Sequence, residues 1–200
     1  MGFPVITYNS KSITLDINEE RIQIDPARDV LGGSSVAGVK ETLNVRTNSI
    51  VRVSFIGFQL GKAVDETTRR QLEQWWSWAQ TGQTWTFARD AAKASSTTLS
   101  GSEAAGQTVI GVASSTGFAA NDFAIIRSAT HQELVKIATV DSSTQVTITE
   151  TLNHSYASAS RFRHEEYWSG KLIHNRNPMS KDSRVSWRFD LEFVEDVNSL

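Results

Sequence analysis

A two-residue alternation of apolar and polar side chains near the C-terminus constrains the fold more than any other feature of this sequence. Alternation with a period of two places each set of side chains on its own face of a β-strand. Because one face is wholly apolar, the pattern predicts a strand packed against a hydrophobic core. The apolar positions are Val185, Trp187, Phe189, Leu191 and Phe193. The polar positions are Ser186, Arg188, Asp190 and Glu192.

Earlier in the chain, shorter alternating runs predict further strands. Several lie within residues 4–25. Residues 26–38 are predicted to form a loop, because turn-forming residues cluster there. Alternating runs at 43–46 and 51–55, joined by turn residues at 47–49, predict a β-hairpin.

A single α-helix is predicted over residues 65–82. Asp65 is a suitable N-cap, and Gly82 supplies a C-terminal stop. Four apolar residues recur at the spacing of one helical face, so the helix is expected to pack on the core. They are Leu72, Trp75, Trp76 and Ala79.

The composition changes near residue 94. From 94 to 160 the chain is rich in Ser, Thr, Ala and Gly, and all six tryptophans lie outside this segment. Recurring β patterns at 109–112, 123–126, 134–140 and 146–148 indicate that it is folded.

These patterns together predict a mainly β protein. Its host domain is expected to be a β-sandwich or barrel with one flanking α-helix, formed by residues 1–93 plus 161–200. A small all-β domain, residues 94–160, is expected to interrupt it. The two halves of the host domain must then pair to close one core.

Charge and composition argue against several classes of protein. The formal net charge of −2 is unlike the basic balance of most nucleic-acid-binding domains. The chain has no cysteine, so it has no disulfide framework and no thiolate ligand for zinc. No run approaches the ~20 apolar residues that span a bilayer. We therefore expect no direct nucleic-acid recognition and no membrane association.

Candidates for catalytic chemistry are few. The histidines lack the spacing of a helical metal site and are interpreted as surface or loop residues. Glu165 and Glu166 are adjacent, and neighbours on a strand face opposite ways, so we expect a solvated strand end rather than an acid/base pair. We therefore predict no enzyme activity, no cofactor and no metal site. The histidines are His131, His154, His164 and His174.

The tryptophans of the predicted helix support more than one interpretation. Trp75 and Trp76 share its apolar face and are expected in the core. Trp78 lies off that face, so it could pack on the next strand, contact a partner subunit or offer a stacking platform for carbohydrate. Arg69 and Arg70 are expected on a solvated face, with an inter-subunit salt bridge as the alternative.

Three segments resemble the distal tail protein family of long-tailed bacteriophages, whose fold is related to that of tail-tube proteins. They are VKETLNVRTNSIVRVSFIGF, DETTRRQLEQWWSWAQTGQTWTFARD and SRVSWRFDLEFVE. The segment beginning TVIGVASSTGFAANDFAIIRS also resembles small β modules carried by phage tail proteins.

This resemblance implies a protein that closes into a ring of six copies and joins the tail tube to the tail-tip hub. It implies no catalytic residues. Ring contacts in the family come from long hairpins and sheet edges, which would correspond to residues 40–58 and 26–38. The candidate interface residues, with Trp78 included, are Leu43, Val45, Arg46, Asn48, Val51, Arg52 and Trp78.

The expected partners follow from the same resemblance. They are further copies of this chain, the tail-tube protein and the hub or tip proteins of the tail. The protein is expected in the virion, after assembly in the host cytoplasm. Two alternatives remain open: the repeating subunit of the tail tube, and a carbohydrate-binding accessory module of the tail.

Overall fold

The structure, a computed structural model, divides the chain into two compact units. The central unit comprises Met1–Val5 and Phe87–Tyr167, and the host unit comprises Ile6–Thr86 and Trp168–Leu200. The residues described are 3–15, 19–25, 30–34, 40–44, 50–59, 63–172, 177–181 and 186–195. Independent folding of the two domains predicted from composition stays a prediction.

Among the described residues, strands predominate and there is one α-helix, so the predicted mainly β class with one flanking α-helix is confirmed. The first elements are β1 (Val5–Tyr8), β2 (Lys11–Thr14), β3 (Glu19–Asp25), β4 (Val30–Ser34), β5 (Lys40–Asn44), β6 (Ile50–Gln59), α1 (Ala63–Ala79) and β7 (Trp85–Ala88). A short 3-10 helix, Ala91–Lys93, follows. The remaining strands are β8 (Ser96–Thr98), β9 (Val109–Gly111), β10 (Phe123–Arg127), β11 (Gln132–Ser142), β12 (Gln145–Ile148), β13 (Arg161–His164), β14 (Tyr167–Leu172), β15 (Met179–Lys181) and β16 (Ser186–Glu195).

An eight-stranded sheet forms the framework of the host unit. Its order is β2-β1-β7-β14-β16-β6-β3, and β15 pairs with β16. The described part of the last strand alternates as predicted, because Phe189, Leu191 and Phe193 are buried whereas Arg188 and Asp190 are exposed.

The hairpin predicted from the runs at 43–46 and 51–55 is wrong for the residues that the structure describes. Strand β5 pairs with β4 in a separate two-stranded sheet, while β6 pairs with β3 and β16. The reason is burial: Val51 and Val53 on β6 lie opposite Phe193 and Leu191 on β16, and all four are buried. Strand β4 also lies within the stretch that was predicted to be a loop.

Helix α1 supplies the aromatic part of the host core. Leu72, Trp75 and Ala79 are buried as predicted, and the Trp75 ring meets the Trp85 ring edge-on with centroids 5.0 Å apart. The predicted N-cap is wrong, because the helix begins at Ala63 and so includes Asp65. The helix ends at Ala79, three residues before the predicted stop, and Gly82 lies in the turn that follows, with a left-handed φ of 78°.

The central unit is a closed six-stranded sheet. Its order is β8-β13-β10-β11-β12-β9, and a bridge between Leu99 and Val112 joins the two outer strands. Hydrogen bonds from Ser100 N to Gly111 O and from Ala113 N to Thr98 O flank that bridge. The buried core that the sheet encloses consists of Leu99, Ile110, Val112, Phe118, Ala124, Ile126, Val135, Ile137, Val146, Ile148, Leu152, Tyr156 and Phe162.

Candidate interaction surfaces

The edge strand β3 is the main candidate for an assembly contact in the host unit. In the described part of the chain it pairs on one side only, with β6, over all seven residues from Glu19 to Asp25. Every second residue of such a strand directs its N–H and C=O groups away from the sheet, where they can pair with another chain. The two-stranded sheet of β4 and β5 stands apart from this framework in the pairing scheme.

The predicted interface residues fall in different environments. Leu43 lies on β5, but Val45, Arg46 and Asn48 lie outside the described residues. Val51 is fully buried in the host core, so its side chain presents no surface to a partner. The interface as a whole stays a prediction.

Arg52 is exposed and belongs to a ladder of charges on the outward face of β6 and β16. It lies opposite Glu192, and their side chains approach to 3.3 Å. Ser54 donates to Asp190 at 2.5 Å, and Arg188 lies 2.7 Å from that same carboxylate. Exposed pairs such as these contribute little to stability. They make this face charged and hydrated, and a shallow cleft of about 360 Å³ opens beside it.

Trp78 is half-buried and packs against Tyr8, with ring centroids 5.6 Å apart. Its indole therefore packs on strand β1, and a shallow groove lined by Asn9, Lys11 and Glu73 lies beside the two rings. This arrangement leaves part of the ring available to a partner. The two rings are tilted by 51° relative to each other rather than stacked.

A polar network pins one loop of the central unit. The Lys93 ammonium pairs with Asp122, whose other carboxylate oxygen accepts from the Ala119 N–H at 2.8 Å. His164 Nε2 lies 3.5 Å from that oxygen and donates to the Gly117 carbonyl at 2.9 Å. His164 is therefore not a surface or loop residue as predicted. It lies buried on β13, opposite the buried Ala124 on β10.

The adjacent glutamates Glu165 and Glu166 lie in the tight turn between β13 and β14, directly after the last residue of β13, where a strand end was expected. Arg163 braces this turn by donating to the carbonyls of His164, Glu165 and Tyr167. Glu166 pairs with Arg89 at 2.6 Å. Partial burial and then the charge of Glu166 raise the pKa of Glu165 above its ordinary value.

The remaining described histidines lie at the surface of the central unit. His131 and His154 are exposed and stack with centroids 4.2 Å apart. Among the described residues, no group of three or more His, Asp and Glu side chains converges as a metal site would require.

No protein-family model matches this chain, and a search of curated proteins found no match. Within the described ranges, no helix has the length and apolar character needed to cross a membrane. A functional proposal must therefore start from the surfaces described above and from the segment resemblance.

Proposed function

We propose that this protein is a structural component of a long-tailed bacteriophage tail, forming a ring at the distal end that connects the tail tube to the tail-tip hub. The three segments that resemble the distal tail protein family support a place at the distal end of the tail. The available edge of the host sheet supports the mode of assembly. Copies of the chain are the first partners, and the tail-tube and hub proteins are the others.

The observation that carries this proposal is the pairing of β3 on one side only among the described residues. A strand from a sister copy can extend the sheet there through main-chain hydrogen bonds, with little demand on side-chain identity. Such a contact joins two different surfaces, so repeated rotation either closes a ring or grows a filament. A closed ring suits an adaptor, whereas a filament would suit the alternative, a tail-tube subunit.

Two consecutive proline substitutions on β3 test the edge contact. Neighbouring residues of a strand send their N–H groups to opposite sides, so only one of Ile22→Pro and Gln23→Pro removes a donor from the free edge. We expect that variant to keep its thermal stability and lose the oligomer in native mass spectrometry. The other variant should lose stability, because it breaks a bond to β6.

Electron microscopy of the purified protein then separates an adaptor from a tube subunit. Discrete rings support the adaptor, and open-ended filaments support the tube subunit. A strictly monomeric wild-type protein at high concentration, in the presence of its tail-tube protein, would contradict the proposal. So would an oligomer that survives both proline substitutions.

A further inference from the structure

A shallow groove of about 510 Å³ lies beside helix α1 and the turn that joins β1 to β2. Its volume falls within the range of about 300–1,000 Å³ that small-molecule sites occupy. All of its lining residues belong to the host unit. They are Tyr8, Asn9, Lys11, Glu73, Gln74, Ser77 and Trp78.

Helix α1 supplies one wall of this groove. Residues four apart lie on the same helical face, so Gln74 and Trp78 are neighbours, as are Glu73 and Ser77. Trp78 is half-buried, while the other three residues are exposed. This wall therefore offers one indole ring among polar side chains.

A tight turn supplies the other side of the groove. Strand β1 ends at Tyr8 and β2 begins at Lys11, so only Asn9 and Ser10 connect the two paired strands. Asn9 and Ser10 take positive φ values of 42° and 60°, as a type I′ hairpin turn requires at its two central residues. Because a two-residue connection has little freedom, Asn9 and Lys11 are held in place beside the groove.

Tyr8 braces the indole of Trp78. Tyr8 is 5% exposed, and its ring centroid lies 5.6 Å from that of Trp78. Since the rings are tilted by 51°, Tyr8 supports the indole without lying flat on it. A side chain that is already held in place loses little freedom when a ligand packs on it, which favours binding.

The polar groups around the indole suit an uncharged ligand that is rich in hydroxyl groups. Side-chain amides and hydroxyls both donate and accept hydrogen bonds, as sugar hydroxyls do. Glu73, which pairs with Arg69, brings a carboxylate to the groove, and Lys11 brings an ammonium. The lining thus carries one charge of each sign, so it does not favour a polyanion.

We infer that this groove binds a neutral oligosaccharide of pyranose units. The apolar C–H face of one pyranose packs on the Trp78 indole. The sugar hydroxyls bond the exposed side chains of Asn9, Gln74 and Ser77. A protein partner, in contrast, would call for more apolar surface at the centre of the contact than a single indole offers. Sugar binding, one of the interpretations open for Trp78, is thereby located in the host unit.

Sugar binding here does not depend on the proposed ring. The order of the host sheet runs from β2, which begins at the groove residue Lys11, to β3 at its other end. Pairing of a sister strand along β3 involves none of the groove residues.

Saturation-transfer difference NMR of the full-length protein with cellotetraose, a β-linked oligosaccharide of glucose, tests the site. The equatorial hydroxyls of this sugar leave C–H groups on both faces of each ring. Sorbitol is the matched ligand control, because it has similar hydroxyls on an open chain but no rigid apolar face. We expect signals from cellotetraose, strongest at its ring C–H protons, and none from sorbitol. Inorganic polyphosphate, added as a competitor, should leave the cellotetraose signals unchanged.

Two tryptophan variants locate the bound sugar. Trp78→Ala should weaken cellotetraose binding about tenfold, as removal of a central aromatic residue does at a binding site. Trp76→Ala is the matched control, because Trp76 is a half-buried indole of the same helix that does not line the groove. Trp76→Ala should bind cellotetraose as the wild type does, which separates loss of the indole platform from a general effect on α1.

Two glutamine variants test the polar contacts without disturbing the core. Gln74 and Gln80 are both exposed, but only Gln74 lines the groove. Because Ala is favourable in a helix, Gln74→Ala should fold normally. It should weaken cellotetraose binding roughly threefold, as for the loss of one hydrogen bond. Gln80→Ala should leave the binding unchanged.

Absence of saturation transfer to cellotetraose, or equal signals from sorbitol, would overturn the proposal. Displacement of cellotetraose by polyphosphate would overturn it too, since the groove would then be an anion site. So would an equal loss of affinity in Trp76→Ala and Trp78→Ala. The proline variants of β3 should bind cellotetraose normally, so failure of the ring and failure of the sugar site are distinguishable.

Discussion

The sheets of the two units of this protein differ in whether they have an edge strand. The central unit closes its six strands through the bridge between Leu99 and Val112. The host unit ends on β3, which pairs on one side only among the described residues. A closed sheet must bind through side chains, while an open one can bind through its backbone. We therefore expect the host unit to be the one that takes a further strand from a partner.

The units also differ in how far along the chain their strands find partners. In the central unit, β10, β11 and β12 pair as successive neighbours. In the host unit, β6 pairs with β16, and Arg52 reaches Glu192 across 140 positions of sequence. Pairing between distant segments must overcome a large loss of chain entropy, which slows folding. We therefore expect the central unit to form first.

Core aromatics give the largest expected effects and test whether the units unfold separately. Trp75 and Phe162 are both fully buried, the former in the host unit and the latter in the central unit. Replacing either by Ala should remove about 3–5 kcal/mol from its own unit through lost burial and an unfilled cavity. Differential scanning calorimetry should show one shifted transition in each variant.

Trp78→Ala is the matched control for Trp75→Ala, because it removes a half-buried indole from the same helix. A smaller shift is expected there. If Trp75→Ala and Phe162→Ala each move a single common transition, the two units unfold together and the comparison fails.

Alanine substitutions at two glycines should change stability by an intermediate amount. A Cβ added at Gly170 on β14 would collide with the Phe193 ring in the host core, whereas one added at Gly101 meets no atom within 4 Å. Gly170→Ala should therefore cost about 1–3 kcal/mol through overpacking. Gly101→Ala should stay within about 0.5 kcal/mol of the wild type. Urea titration of both variants measures the difference in their free energies of unfolding. Equal stability of the two variants would show that the host core near β14 rearranges to accept the added methyl group.

The smallest effect concerns pH and the turn between β13 and β14. The raised pKa of Glu165 means that the folded state binds this proton more tightly than the unfolded state. Stability therefore falls as pH rises from the ordinary value of 4.5 through the raised one. Glu165→Gln should add less than about 1 kcal/mol to the central unit at neutral pH, and nothing near pH 4. Thermal melts at the two pH values check this, and a gain that is equal at both would contradict it.

Local patterning was sufficient to predict the final strand, the one α-helix and several core positions. The alternation through Phe189, Leu191 and Phe193 predicted a strand with one buried face, and that is what the structure has. Helical spacing placed Leu72 and Trp75 in the core. These predictions hold because side-chain periodicity follows directly from backbone geometry, whichever partner covers the apolar face.

The sequence by itself determined a mainly β protein with one helix and an alternating final strand, but only the tertiary structure decided which strands meet. The turn residues at 47–49 suggested a local hairpin, yet β6 pairs with β3 and β16, since burial of Val51 and Val53 against distant side chains outweighs local turn preference. Closure of the central sheet also depends on register between strands. Periodicity indicates which side of a strand is apolar. Register determines which residues of two strands become neighbours, and it is fixed only when the whole core packs.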